Sequence, residues 1–350
     1  MSYQRDYERK LRVGMVGLGS HAYRNILPAL HYLPVNLVAL CDLDAATLAS
    51  TGKEYEGKAL FTSTSQMYQE MELDAVLLCV DPRHHPQLAI EAMEAGLHVW
   101  MEKPPAMRAS QVQEMLDACG DRVCGVGFKK AYMPSTRKAK ELLEHPEFGA
   151  LRSLLAVYPM SMPADGRGIL ERGEYCNWLA NGCHPLSLML ELGGRVRSVT
   201  TLLGPGEQAV GCVQLQFVSG AVGIFHLADG TPPGYRVERY DLFGAGKVIS
   251  IENSSKIAYH RGIPFNYSMQ NDFTSSGTES GSVVWEVNHC LATLENKALF
   301  VQGIFDELLD FCQAVLENRP LRIGNLEFAL HVMQVYEAAL CSRGNPVAIE

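Results

Sequence analysis

Through its first third the chain alternates short apolar runs with stretches whose apolar residues recur at helical spacing. Runs at 11–16, 35–41, 60–61, 75–80, 98–101 and 123–128 predict strands, and the patterns at 22–32, 45–55, 65–71, 86–95 and 110–119 predict helices between them. Gly96, just past the fourth of these, marks a helix end. Strands that read as unbroken apolar runs are covered on both faces, and regular β-α alternation implies a parallel, doubly wound sheet. After a helix at 134–143 the period changes to two, at 151–158, 196–203, 212–218, 221–228 and 236–243. Ser219-Gly220 between two of these runs predicts a hairpin. Successive strands without intervening helices imply a largely antiparallel open sheet in an α+β domain. A helix is expected at 186–192 and a Ser/Gly/Thr-rich surface loop at 274–282, and two amphipathic helices, 301–317 and 325–341, close the chain.

The change of period divides the 350 residues into a doubly wound α/β domain, 1–128, and an α+β domain, 129–350. A hydrophobic content of 47% is enough for two sizeable cores. The formal charge of −9 argues against nucleic acid or an anionic membrane surface as partner, since both call for a basic face. No apolar stretch approaches a membrane span, and residues 1–10 lack the apolar core of a secretory signal. None of the ten cysteines forms a C-x-x-C pair, which points to buried thiols in a reducing, cytoplasmic setting and against a zinc cluster.

Gly17-Leu18-Gly19-Ser20-His21-Ala22 follows a predicted strand and opens a predicted helix. In that context Gly17 permits the tight turn, Gly19 lets backbone approach a pyrophosphate, and Ala22 lets helix and strand pack closely. Leu18, Ser20 and His21 belong to the same cradle. Asp42, ending the second strand, is placed to accept from ribose hydroxyls and to repel a 2′-phosphate, so NAD is expected rather than NADP; Asp44 is an alternative for that role. Asp81 and His85 lie at the end of the fourth strand, where His85 either caps the next helix or lines the cofactor groove. Glu102-Lys103-Pro104-Pro105 ends the fifth strand. Ligands in open α/β sheets sit beyond the carboxyl ends of the strands, so this pair can touch substrate and cofactor together. The Lys103 ammonium would stabilise a developing alkoxide, with Glu102 orienting it. His184 opens a helix, a position that favours a neutral imidazole able to act as a base; in an apolar setting the competing reading is a structural histidine.

Taken together, these segments resemble the glucose–fructose oxidoreductase, inositol dehydrogenase and MocA family. The likeness extends through 13–22, 38–42, 81–92, 96–104, 149–151, Gly182-x-His184 and 339–349. It implies an amino-terminal Rossmann domain and a second domain whose open sheet mediates homodimers or homotetramers. The implied activity is oxidation or reduction of a secondary alcohol on a sugar or polyol with NAD(P), with Lys103 and His184 at the family's catalytic lysine and histidine. The chain departs from the family pattern in three places. Ala180 stands where an aspartate is common, Ser187 where an acid is common, and Asp81 where a small hydroxyl residue is usual.

The resulting expectation is an NAD-dependent oxidoreductase acting on a small hydroxylated metabolite, with no metal. Tyr158, Arg167, Tyr175, Asn177, Trp178 and Asn181 are candidates to approach the substrate. Two other readings stay open: an NAD-retaining lyase or glycosidase that oxidises transiently, and a non-catalytic dinucleotide-binding sensor favoured by the loss of the carboxylate at Ala180.

Overall fold

The computed structural model describes residues 7–232, 237–262, 281–288 and 298–349. Six parallel strands form the first sheet: β1 (Leu11–Val16), β2 (Val35–Cys41), β3 (Ala59–Phe61), β4 (Ala75–Leu78), β5 (His98–Met101) and β6 (Cys124–Val126). Their spatial order is β3-β2-β1-β4-β5-β6. Chain direction around the sheet therefore reverses between β1 and β4, which opens a crevice at their carboxyl ends. β4 is buried at every position, as expected of a central strand with helices on both faces.

The first helix departs from the expected regular α-helix. Residues Ala22–Ile26 form a π turn before the α-helical turn Leu27–Leu30, and Leu27 N–H donates to the Ala22 carbonyl five residues back. Pro28 has no N–H to give, so the turn before it is free to widen.

The second sheet has nine strands. They are β7 (Ser153–Tyr158), β9 (Val196–Leu203), β11 (Gly211–Phe217), β12 (Val222–Leu227), β13 (Arg239–Phe243), β14 (Val248–Glu252), β15 (Lys256–His260), β16 (Ser282–Glu286) and β17 (Val347–Ala348); β8 (Met162–Pro163) and β10 (Gln208–Ala209) pair separately. Every neighbouring pair is antiparallel except β7 with β12. Its inner face, with Phe217, Phe225, Leu242 and Ile249 fully buried, belongs to the core that includes helices Cys183–Gly193 and Leu326–Cys341. The outer face leaves Leu202, Ile224, Phe243 and Val284 exposed. The pattern had indicated β7, β9, β11 and β12 within a residue or two but not β14 to β17. The expected strand at 236–243 begins at Arg239, with 233–236 outside the described residues; so are 274–280 of the expected loop, and Ser282 opens β16.

The two closing helices return to the first sheet. Ile304–Glu317, set off by Gly303 in the left-handed region, places Ile304, Phe305, Leu308 and Phe311 in one core with Trp100 and Met15. Leu326–Cys341, capped by the Asn325 side chain on Phe328 N–H, lies along helix Ala109–Cys119. No helix among the described residues is long and apolar enough to cross a membrane.

Candidate active site

The crevice is built around Gly17. Its φ is +84°, and a Cβ there would sit 2.3 Å from the Cys79 carbonyl oxygen at the end of β4, so only glycine fits. Its N–H donates to the Cys41 carbonyl at 2.9 Å, joining the ends of β1 and β2. Leu18 N–H donates to Asp42 Oδ2 at 2.7 Å, and Asp44 N–H donates to Asp42 Oδ1 at 2.9 Å. Asp42 is thereby locked at the rim, and each oxygen keeps a lone pair for a ligand hydroxyl. Asp44 is instead the N-cap of helix Ala45–Glu54, accepting from Ala46 and Thr47. Among the described residues, its chain neighbours apart, none comes within 4 Å of a Cβ built on Gly19, so the turn presents bare backbone to open space. Ser20 and His21 are exposed beside it. A cleft of about 510 Å³ runs from here, lined by Gly17, Gly19, Asp42, Ser63, Val80 and Leu88 among others. These features suit a dinucleotide: bare glycine backbone at the turn, an anchored carboxylate, and an apolar slot alongside.

Glu102 is 9% exposed and divides its carboxylate between two jobs. Oε1 lies 2.8 Å from His21 Nε2, and Oε2 accepts from its neighbour's Lys103 N–H at 3.0 Å. Asn25 Nδ2 approaches His21 Nδ1 at 3.2 Å, which assigns the ring proton to Nε2, donating to Glu102. The glycine turn and the strand-end lysine are thus tied through one carboxylate. The Lys103–Pro104 peptide is cis. His85, fully buried as the first residue of helix His85–Glu94, places Nδ1 3.0 Å from the Pro104 carbonyl. It therefore braces the proline turn rather than capping the helix. Burial pushes its imidazole down to about 4, so it is neutral at pH 7. Asp81 is held by Arg83, through its guanidinium at 3.0 Å and its backbone N–H.

Lys103, at the end of β5, reaches the segment that precedes His184. Its Nζ donates to the Ala180 carbonyl at 3.1 Å, at the last residue of the short helix Asn177–Ala180. His184 follows in helix Cys183–Gly193; it is 8% exposed, and its Nδ1 is buried without a partner among the described residues. Burial first, then the ammonium of Lys103, drives its imidazole well below the usual range and keeps it neutral. Ser187 donates to the His184 carbonyl, one turn back, and supplies no carboxylate. Cys183 is buried packing, with its thiol on the Ala180 carbonyl.

The candidate substrate residues separate. Tyr175 is 46% exposed, and partial burial pushes its hydroxyl up. Asn177 and Asn181 are exposed and hydrogen-bonded to each other near Ala180. The Tyr158 ring lies 5.4 Å below Lys130 Nζ. Trp178 is not brought to the cleft. It is wholly buried against Phe225 and donates to the Tyr336 carbonyl at 3.2 Å, because the indole of this short helix faces the core. Arg167 is exposed on helix Gly166–Arg172, whose Gly166 packs directly on the Leu340 carbonyl.

Three charged residues escape the sequence reading. Lys130 is buried and bound by both oxygens of Glu238 at 2.6 and 2.7 Å. Lys129 donates to Gln302 at 2.9 Å, and burial lowers its ammonium. Both lie in the helix that begins three residues after β6, near the strand end where the rule that singled out Lys103 applies. Glu307 is 2% exposed, and neither carboxyl oxygen has a partner among the described residues. Its signal was an acid on the apolar stripe of Ile304, Leu308 and Phe311.

Residues 11–128 match the model of an oxidoreductase family with an NAD-binding Rossmann fold. The chain is 23% identical over 353 residues to D-glucoside 3-dehydrogenase of Escherichia coli, covering 97% of each chain. Among solved structures, a dehydrogenase from Chromobacterium violaceum superposes with a TM-score of 0.80 at 21% identity, covering 96% of both chains. An oxidoreductase from Agrobacterium radiobacter, solved with NAD+, L-tartaric acid and magnesium, also gives 0.80, at 16% identity over 97% of this chain and 98% of that one. At these identities the superpositions speak for the fold.

Proposed function

We propose that this chain, whose residues 11–128 match an oxidoreductase family with an NAD-binding Rossmann fold, is a member of the glucose–fructose oxidoreductase, inositol dehydrogenase and MocA family and an NAD-dependent dehydrogenase of a secondary alcohol on a sugar, polyol or related hydroxylated metabolite. The observation that carries this reading is the hydrogen bond from Lys103 Nζ to the Ala180 carbonyl, which brings the strand-end ammonium to the segment leading into His184, whose imidazole feels its charge. NAD, when bound, supplies the hydride acceptor. Gly17, Leu18, Gly19, Ser20, His21 and Asp42 would hold its phosphates and ribose, and Asp81, His85 and Glu102 would shape the wall that leads to Lys103. The Lys103 ammonium stabilises negative charge as it grows on the carbinol oxygen. His184 starts neutral and takes the hydroxyl proton as the carbonyl forms. Tyr158, Tyr175, Asn177 and Asn181 would meet the rest of the substrate; Arg167 and Trp178 have no part in this reading.

The test is Lys103→Ala with NAD and a panel of sugars and polyols. Loss of an ammonium acting on the reacting oxygen is expected to lower kcat on the order of 10²- to 10⁴-fold while NAD affinity changes little. Undiminished turnover would sink the mechanism. We further propose that the outer face of the second sheet joins copies into a homodimer or homotetramer, because Leu202, Ile224, Phe243 and Val284 lie exposed on it. Sedimentation equilibrium of the wild type and of Ile224→Glu checks this. Association that weakens in the variant supports it, and a wild-type monomer refutes it.

A further inference from the structure

Glu307 is the least satisfied charged residue of the described molecule. Its helix carries it into the core beneath the strand-end pair, and both its oxygens lack hydrogen bonds. Asp310, one turn on and equally buried, shows the contrast: Arg319, Arg322 and Tyr132 all donate to it. A buried polar group without partners costs free energy, and a buried ion costs far more.

The groups that face Glu307 are identifiable element by element. Glu102 and Lys103 come from the end of β5, Lys129 and Tyr132 from the helix after β6, and Cys79 from the end of β4. Burial and the Glu102 carboxylate raise its carboxyl well above the usual range, opposed by Lys129 and Lys103. In the free protein Glu307 is therefore a carboxylic acid poised between two carboxylate-favouring ammoniums and one carboxylate-disfavouring neighbour. Glu102 cannot relieve it by turning away, since both of its own oxygens are held by His21 and the Lys103 N–H. A further positive charge beside Lys103 would favour its ionisation.

We infer that Glu307 is the internal counter-charge of the oxidised cofactor, giving its proton to solvent when NAD+ binds and remaining protonated when NADH binds. The inference rests on the proposed binding of NAD beside Lys103. No covalent bond changes other than the O–H of Glu307, and the positive nicotinamide ring balances the carboxylate that is left. Glu307 touches neither substrate nor cofactor in this account; it is a positioning residue that acts through Glu102 and Lys103.

Calorimetric titration of the whole protein with NAD+ and with NADH, near pH 7 in buffers of different ionisation enthalpy, counts the protons exchanged. The wild type is expected to release about one proton per NAD+ and about none per NADH. Glu307→Gln keeps the size and neutrality of the acid; it should bind both nucleotides, release no proton with either, and lose on the order of tenfold in affinity for NAD+ alone. Infrared difference spectra of the wild type give a check that needs no variant, through loss of a protonated-carboxyl band on adding NAD+ but not NADH. Equal proton counts for the two nucleotides, an unchanged band, or undiminished release in Glu307→Gln would each overturn the inference. Failure of the wild type to bind either nucleotide would overturn the dehydrogenase reading, and this inference with it.

Discussion

On the cofactor side of the cleft the polar groups lock to one another. Asp42 fixes the glycine turn, Glu102 joins that turn to Lys103, and Arg83 holds Asp81. On the facing side His184 keeps a ring nitrogen buried without a partner among the described residues, and Ala180 offers only its backbone. The first wall is tied through its carboxylates before any ligand arrives, and its unpaired buried atoms among the described residues are His85 Nε2 and the two Glu307 oxygens; on the second the unpaired atom is on His184, the residue proposed to take the substrate's proton. Prior organisation of this kind suits a cofactor common to many enzymes, and spare capacity suits a substrate particular to one.

The largest expected break in this contrast is Gly17→Ala. The new methyl would meet the Cys79 carbonyl at 2.3 Å on a backbone with φ of +84°, so the ends of β1 and β4 must separate. NAD binding is expected to fall by at least about 100-fold, with several kcal/mol lost from folding, as is typical of a side chain forced where only glycine fits. Binding and thermal unfolding measured together check it, and near-wild-type values for both would contradict the geometry.

Acid probes both walls with a smaller effect. His85 is buried and neutral with its imidazole at about 4, whereas in the unfolded chain it titrates near its ordinary value. Its contribution to stability is therefore complete above the unfolded value of about 6.5 and is lost as pH falls toward the folded one, roughly 2 kcal/mol of it between pH 7 and 5. His184, His98 and His331 are shifted in the same direction, chiefly by burial, and add to the slope. Two of these rings also accept a backbone N–H, His98 from Val123 and His331 from Val196, so protonation at that nitrogen breaks a hydrogen bond. Urea unfolding across this range should show the loss, and His85→Gln should show a shallower one.

The smallest expected change is the most specific to the second wall. Ala180→Asp returns a carboxylate next to His184 and should raise its imidazole, moving the acidic limb of any pH–rate profile upward. An added charge near a partly buried site is worth about 1 kcal/mol, or several-fold in rate. A profile that stays in place would mean that the aspartate side chain does not reach the ring.

The same contrast explains what could be read from the chain. The strands of the first sheet, the glycine turn and Asp42 follow from continuous apolar runs and from glycines at fixed offsets, signals that are local in sequence, whereas the order of those strands was not read from the chain. Lys103 was legible because a strand end in a parallel sheet has one destination. Trp178 was misplaced among the candidates because a four-residue helix has too short a period to show which face is inward. The roles of His85 and Glu307 depend on partners 19 and more than 200 positions away, Pro104 for the one and Glu102 for the other. No local pattern encodes such meetings.

The helix that carries Glu307 has a consequence for how the chain must be made. Phe305, Leu308 and Phe311 cover the face of the parallel sheet that holds Met15, Leu40 and Trp100. During synthesis the strands of that sheet leave the ribosome about 180 residues before their cover. The nascent nucleotide-binding part therefore waits with an oily face bare, a state prone to aggregation and to chaperone capture. A fragment ending at residue 128 would carry that state permanently.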